Sequence, residues 1–420
     1  MVRGLRGLGL AAACAAAGTA LTAPSAAPPS AAPPSAASAA ASTAASTAAA
    51  AQDGPDPGAG TSGEQGVQPG APSWTAFVPP VPRPPGAPSS RPARPNAPYA
   101  PAPSPWVRGR PAEAGYTAYI ALAGSGRVAR VDVAAHTVTS TAIRADTAEG
   151  VAVTPDARKV YVAATGQYQV IAVDAATLRA TPIVVGAYPQ DVAVSPDGSQ
   201  AYAAVTGGDT GPGGSSAVAV IDTRTDTVIR RVDVGAAPRR IAFAPDGKDA
   251  YVTTARGLAV IDTAKGEVAG EVPGIPDAQG VAVSADGSRV YATRPDADLL
   301  YVVDAAHRTV TRRVKAGAEP WAVAVTPDGR KVYVADMNSD SAGVYDATGR
   351  RHLADVPVGR RPASVAVTPD GSEVWVGNGM TGTVSVIDAS ADEVVTTIRG
   401  GPPSTTLGAS PLAIAFVRNP

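Results

Sequence analysis

One phrase is repeated from Tyr116 to the C-terminus: an apolar run, a Pro-Asp-Gly turn, a run centred on an aromatic residue, then an apolar run ending in Asp. The anchors are VAVTPDA from Val151, VAVSPDG from Val192, IAFAPDG from Ile241, VAVSADG from Val281 and VAVTPDG from Val323 and Val365. A degenerate last copy, IAFVRNP, starts at Ile414, and successive starts lie 40 to 49 residues apart. Such a spacing, with four short strands in each unit, specifies a β-propeller. Within the unit from Val323 the turn is Thr326-Pro327-Asp328-Gly329. There Pro supplies the fixed φ of the second turn position and Gly the left-handed one. Lys331-Val332-Tyr333-Val334 then alternates polar and apolar residues with the period of a strand.

Two columns run through every unit. The second strand carries Tyr119, Tyr161, Tyr202, Tyr251, Tyr291, Tyr333 and Trp375. The third ends in Asp132, Asp174, Asp222, Asp262, Asp304, Asp346 and Asp388. A catalytic residue is needed once, a scaffold residue once per unit, so both columns are read as structure. The rings are expected between blades, where loss of one would cost about 3–5 kcal/mol. The aspartates are expected to accept backbone N–H bonds at the following turn, and the six turn aspartates join them as scaffold. The first unit lacks a first strand and the last copy is nothing but a first strand. Joining the ends completes a seventh blade and leaves no open edge. The expected fold is therefore all-β: a seven-bladed propeller of four-stranded antiparallel blades over residues 112–420, closed by the C-terminal strand.

What precedes it is of another kind. Arg3 and Arg6, followed by the apolar stretch Leu8 to Leu21 and small residues, read as a signal peptide over residues 1–23. The stretch falls short of the roughly 20 strongly apolar residues of a membrane span. Residues 24–111 are rich in Ala, Pro, Ser and Thr, a composition that cannot bury enough surface to offset its ordering entropy, and read as a disordered linker. The single cysteine, Cys14, lies in the leader. No disulfide or thiolate metal site is therefore expected in the folded part. A formal net charge of −1 supplies no field for nucleic acid. The chain is expected to be a secreted, extracellular or envelope-associated monomer without a transmembrane span once mature.

The runs Tyr333-Val334-Ala335 and Tyr251-Val252-Thr253, with Val386-Ile387-Asp388 on the third strand, resemble the bacterial YVTN-type β-propeller repeat proteins. That group lies within the YVTN/quinoprotein amine dehydrogenase-like propeller superfamily. The resemblance covers about Tyr116 to Pro420. It implies the scaffold and little about activity, because the superfamily includes surface-layer proteins, lactonases and quinoprotein subunits.

Function must then lie in what does not repeat. Two insertions, Gly207–Gly214 between second and third strands and Pro402–Gly408 between blades, fall on one face. Just before each first strand, at the channel entrance, the residues are Glu149, Gln190, Arg239, Gln279, Trp321, Ala363 and Leu412, with Asp191, Arg240, Glu319, Arg360 and Arg361 beside them. Glu149, Gln190, Asp191, Arg239, Arg240, Glu319, Trp321, Arg360 and Arg361 are the candidate ligand-binding residues. Trp321 is expected to stack beside Arg239 and Arg240 as an anion- or sugar-binding surface. Specific chemistries find no support. The three histidines do not converge. Asp336-Met337-Asn338-Ser339-Asp340 has the one-three-five spacing of a calcium loop but lacks its Gly and terminal Glu. The Gly-rich insertion has no Lys and opens no helix. No catalytic residue, metal or cofactor is assigned. The expected function is non-catalytic binding of a protein or glycan at the cell surface. The alternatives are a lactonase-like hydrolase or lyase, and a partner subunit of a quinoprotein or electron-transfer system.

Overall fold

The computed structural model describes residues 115–207, 216–235, 237–399 and 410–419. The expected signal peptide and linker lie outside these residues, as do most of both long insertions. Among the described residues the strands form seven four-stranded antiparallel sheets, each a blade with strands A to D from the channel outward. Blade 1 combines strand A from the C-terminus, Pro411–Arg418, with Tyr116–Leu122, Arg127–Asp132 and Thr137–Arg144. Blades 2 to 7 begin with strand A at Ala148–Val153, Pro189–Val194, Ile241–Phe243, Val281–Val283, Pro320–Val325 and Pro362–Val367. Blade 6 continues with Lys331–Asp336, Ser341–Asp346 and His352–Pro357.

The ring closes as the repeat count requires. Tyr116 pairs with Arg418 and Ile120 with Ile414, and the Asn419 N–H donates to Gly115 O at 2.7 Å. Phe416 meets Trp375 of blade 7 edge to face at 5.2 Å, so the C-terminal strand also seals the last junction.

The strand B rings are all at most 2% exposed. Each hydrophobic cluster joins neighbouring blades, as where Tyr161 and Ala163 of blade 2 pack on Val192, Ala203 and Ile221 of blade 3. Some rings add a polar tether across that junction. Tyr161 Oη donates to Asp226 of blade 3 at 2.6 Å, and Lys159 Nζ reaches the same carboxylate at 2.8 Å. Tyr333 and Lys331 repeat the arrangement on Asp392 of blade 7. All seven strand C aspartates accept backbone N–H bonds at the turn into strand D, from Ala135, Thr177, Thr225, Lys265, His307, Thr348 and Ser390. The six turn aspartates accept the N–H two residues on, from Arg158, Ser199, Lys248, Ser288, Arg330 and Ser372. Hydrogen bonds from Ser284 and Ser288 hold the Asp286 carboxyl down at about 2. Two open clefts, of about 340 and 320 Å³, are lined by residues of the repeating turns and of the strands beside them, including Asp370, Asp388 and Asp304.

Candidate functional site

The B–C and D–A loops share one face and are laced together there. Thr165 N–H donates to Thr147 O at 3.2 Å, Met337 N–H to Glu319 O at 2.9 Å and Met380 N–H to Arg360 O at 3.1 Å. Each D–A segment passes through a left-handed residue: Thr147, Tyr188, Ala237, Asp277, Glu319, Arg361 and Ser410, with φ between 49° and 76°. Two residues later comes the channel-entrance position. That position was expected just before strand A, but in five blades the structure places it inside the strand, as a bulge. Ala148 pairs with Ala164 and Gly150 with Ala163, leaving Glu149 as the extra residue. Gln190, Trp321, Ala363 and Leu412 are skipped in the same way. A bulge bends the strand and re-aims one side chain. In these five blades the repeat thus delivers one re-aimed residue to the channel mouth, and its identity changes from blade to blade. In blades 4 and 5 strand A begins later, at Ile241 and Val281, leaving Arg239, Arg240 and Gln279 in the approach to it.

Glu149, Asp191 and Arg240 come together from three consecutive blades. Glu149 and Asp191 are close because Gly150 lets the chains meet; a Cβ there would lie 2.7 Å from the Asp191 Cα. Arg240 donates to Gln190 O at 2.8 Å and lies 4.0 Å from Asp191, which also accepts the Ile241 N–H at 3.0 Å. Burial raises both carboxyls above the usual carboxylate range, and Arg240 opposes the shift in each. Arg239 turns to the other side, pairing with Asp277 at 2.6 Å and donating to Ala278 O at 3.1 Å.

Blade 6 presents a second group. Glu319 faces Arg361 at 3.8 Å, its N–H donates to Asp298 at 2.9 Å, and Trp321 is half-buried beside it in sequence on strand A. Among the described residues no cation–π contact joins Trp321 to Arg239 or Arg240; Arg240 is engaged by blade 3 and Arg239 by the segment entering blade 5. Among the described residues the Arg256 and Arg360 guanidinium groups make no ion pair, and both residues are exposed. The calcium-like spacing does not bring its oxygens to one point: Asp336 is fully buried, and Asp340 accepts the Arg361 N–H at 2.8 Å. His136 pairs with Glu373 at 3.0 Å, which also accepts the Trp375 Nε1–H; this junction tether sits at the C–D turn, away from the loops.

Sequence reading missed two features. Tyr168 and Tyr188, 45% and 44% exposed, form an edge-to-face pair on the loop face. Their signal was available, because each is the one aromatic at a left-handed position otherwise filled by small or polar residues. The second is Asp336, whose two carboxylate oxygens are buried without a hydrogen-bond partner among the described residues. In blade 7 the same position is Asn378, which donates to Thr383 and Ser385 and accepts the Gly359 N–H, each at 3.0 Å.

A family model described as YNCE-like β-propeller matches residues 128–355. No curated protein matches the chain. Among solved structures, the chain is similar to Kuenenia stuttgartiensis hydrazine synthase, with a TM-score of 0.59 and 23% identity over 66% of this chain and 93% of that one. A functionally unknown protein from Desulfotomaculum acetoxidans DSM 771 aligns with a TM-score of 0.61 and 12% identity, over 72% of this chain and 99% of the other. At these identities the two structures speak for the fold alone.

Proposed function

The chain belongs to the YNCE-like β-propeller family, and from that premise we propose that it is a secreted or cell-surface, non-catalytic propeller holding a protein or glycan partner on its loop face. The observation that carries this is the variation at the channel-mouth position. A scaffold that repeats nearly everything else places Glu149, Gln190, Arg239, Trp321 and Leu412 there, all at least partly exposed, with Gln279 and Ala363 buried, which is how a fixed frame acquires a specific surface. Arg3, Arg6 and the apolar segment after them support export. Among the described residues no helix is long and apolar enough to cross a membrane.

The test is capture by the immobilised chain of solubilised envelope proteins and, separately, of envelope polysaccharide. Trp321→Ala and Arg360→Ala are the informative variants, because Arg240 braces blades 3 and 4 and its removal would disturb the fold. Capture weakened at least about tenfold, a 1.4 kcal/mol effect, with an unchanged melting temperature supports the reading. Capture indifferent to both changes overturns it. The Glu149–Asp191 pair favours a second reading, a hydrolase or lyase using a raised carboxyl as its acid. Lactone or glycoside turnover abolished by Glu149→Gln would put that reading first.

A further inference from the structure

The features that break the sevenfold pattern crowd the junction of blades 2 and 3. Tyr168 comes from the B–C loop of blade 2 and Tyr188 from the segment leading into blade 3, with ring centroids 5.1 Å apart. Both sit at left-handed φ, 58° and 54°, where a bulky side chain is unfavourable. Each nevertheless leaves nearly half its surface in water, so burial does not account for the rings being there. Tyr188 O accepts the Thr206 N–H at 3.1 Å. Two residues inward from Tyr188 is the bulge residue Gln190, with Asp191 next to it. Across the Gly150 approach lies Glu149, whose carboxylate accepts no hydrogen bond among the described residues. Exposed Thr147 and Gln167 lie in the same two loops.

A sugar ring has an apolar C–H face and a rim of hydroxyl donors. Tyrosine offers an apolar face with a polar tip. A carboxylate is the strongest acceptor for a hydroxyl, and a glutamine amide can both donate and accept. Glu149 and Asp191 face Arg240 here, with Arg231 against Gly186 on the outer side; a uronic acid would bring a further carboxyl against the two already present, so the junction favours neutral or amino-bearing sugars. We propose that this junction is a glycan subsite, taking an uncharged or amino-bearing sugar unit against Tyr168 and Tyr188 with its hydroxyls donated to Glu149 and Gln190. The subsite rests on the loop-face binding reading and narrows it to one class of ligand and one sector of the ring.

The test is affinity electrophoresis of the full chain in gels containing hydroxyethyl cellulose, glycol chitosan or polygalacturonate. Retardation is expected in one or both of the first two and not in the third. The double variant Tyr168→Asn, Tyr188→Asn removes both rings while keeping a residue that tolerates the left-handed backbone. It should weaken binding at least tenfold with melting unchanged, and Glu149→Gln should weaken it severalfold. Undiminished binding by the double variant, or preference for polygalacturonate, overturns the proposal. If protein capture is lost in Trp321→Ala while no glycan binds, the loop-face reading stands and the glycan subsite falls. If nothing is captured by any route, both fall.

Discussion

Replacing Asp336 by asparagine should stabilise the propeller at about pH 8 and leave it almost unchanged near pH 4. The side chain is fully buried at the end of strand B in blade 6, and among the described residues neither oxygen makes a well-formed hydrogen bond, the Gly317 and Gly343 amides lying near it without the geometry of one. Gly317 and Gly343 crowd it so closely that a Cβ on either would lie within 2.7 Å of its carboxyl. Burial pushes its pKa up from 3.8 to about 7; Asp355 and Asp298 add to the rise, and the Gly343 and Gly317 amides offset part of it. Burial likewise raises the neighbouring Tyr345 phenol, further helped by Asp336 and Asp355. Between these two values the native state holds a proton that the unfolded chain has released. Stability from this group is therefore complete below about pH 4, declines as pH rises and is lost above about pH 7. At 1.36 kcal/mol per pH unit the full effect is about 4 kcal/mol; relaxation and water entry should leave about 2 kcal/mol. For a ring of this size that is about 5 °C in melting temperature.

Asparagine carries no charge to desolvate, and Asn378 shows that the position suits it. Blade 6 offers Ser341 and Gly317 where blade 7 offers Thr383 and Gly359, although Gly343 replaces Ser385. The assay is urea unfolding of both proteins from about pH 4 to 8. The many turn aspartates, with lowered pKa values, impose the opposite slope on both proteins, so the difference between them isolates Asp336. A variant equally destabilised at every pH, or one that keeps the full wild-type pH dependence, would refute the assignment of a buried, uncompensated carboxyl.

Tyr333→Phe should cost about 1.5–3 kcal/mol in urea unfolding, because it removes a hydrogen bond to the charged Asp392 carboxylate, which keeps its Lys331 partner. Tyr202→Phe, whose hydroxyl makes no such bond among the described residues, should cost under about 1 kcal/mol; equal losses would mean the tether contributes nothing. Ala157 occupies the left-handed turn position, at φ 59°, that glycine fills in the other five turns. Ala157→Gly should therefore stabilise by about 0.5–1 kcal/mol, and a loss of stability would contradict the strain argument. Deleting residues 411–420 exposes the whole edge of Tyr116–Leu122 and uncovers Trp375. Size-exclusion chromatography should show self-association and melting should fall by about 10 °C or more; a monomer of unchanged melting temperature would show that closure is dispensable.

The repeat, the blade count and the roles of both residue columns were legible in the chain because each depends on local rules, and the closure of Tyr116 on Arg418 followed from counting the strands left over at the two ends. Strand period, turn chemistry and one scaffold residue per unit all act within about 40 residues. The candidate ring at the channel mouth was also legible as positions, since Glu149, Gln190 and Trp321 stand where the repeat offers no rule. Tertiary structure decided what those positions do. Strand A carries a bulge there, so the residue is re-aimed inside the strand. Glu149, Asp191 and Arg240 meet because the ring brings three blades together, whereas Trp321 and Arg240, both prominent in the sequence, face different neighbours. Asp336 looks like any loop aspartate until glycines from the D–A loop and strand C close over it. Local pattern determines which face a side chain takes; only the packing of one blade on the next determines which charges share a low-dielectric space and which are left without a partner.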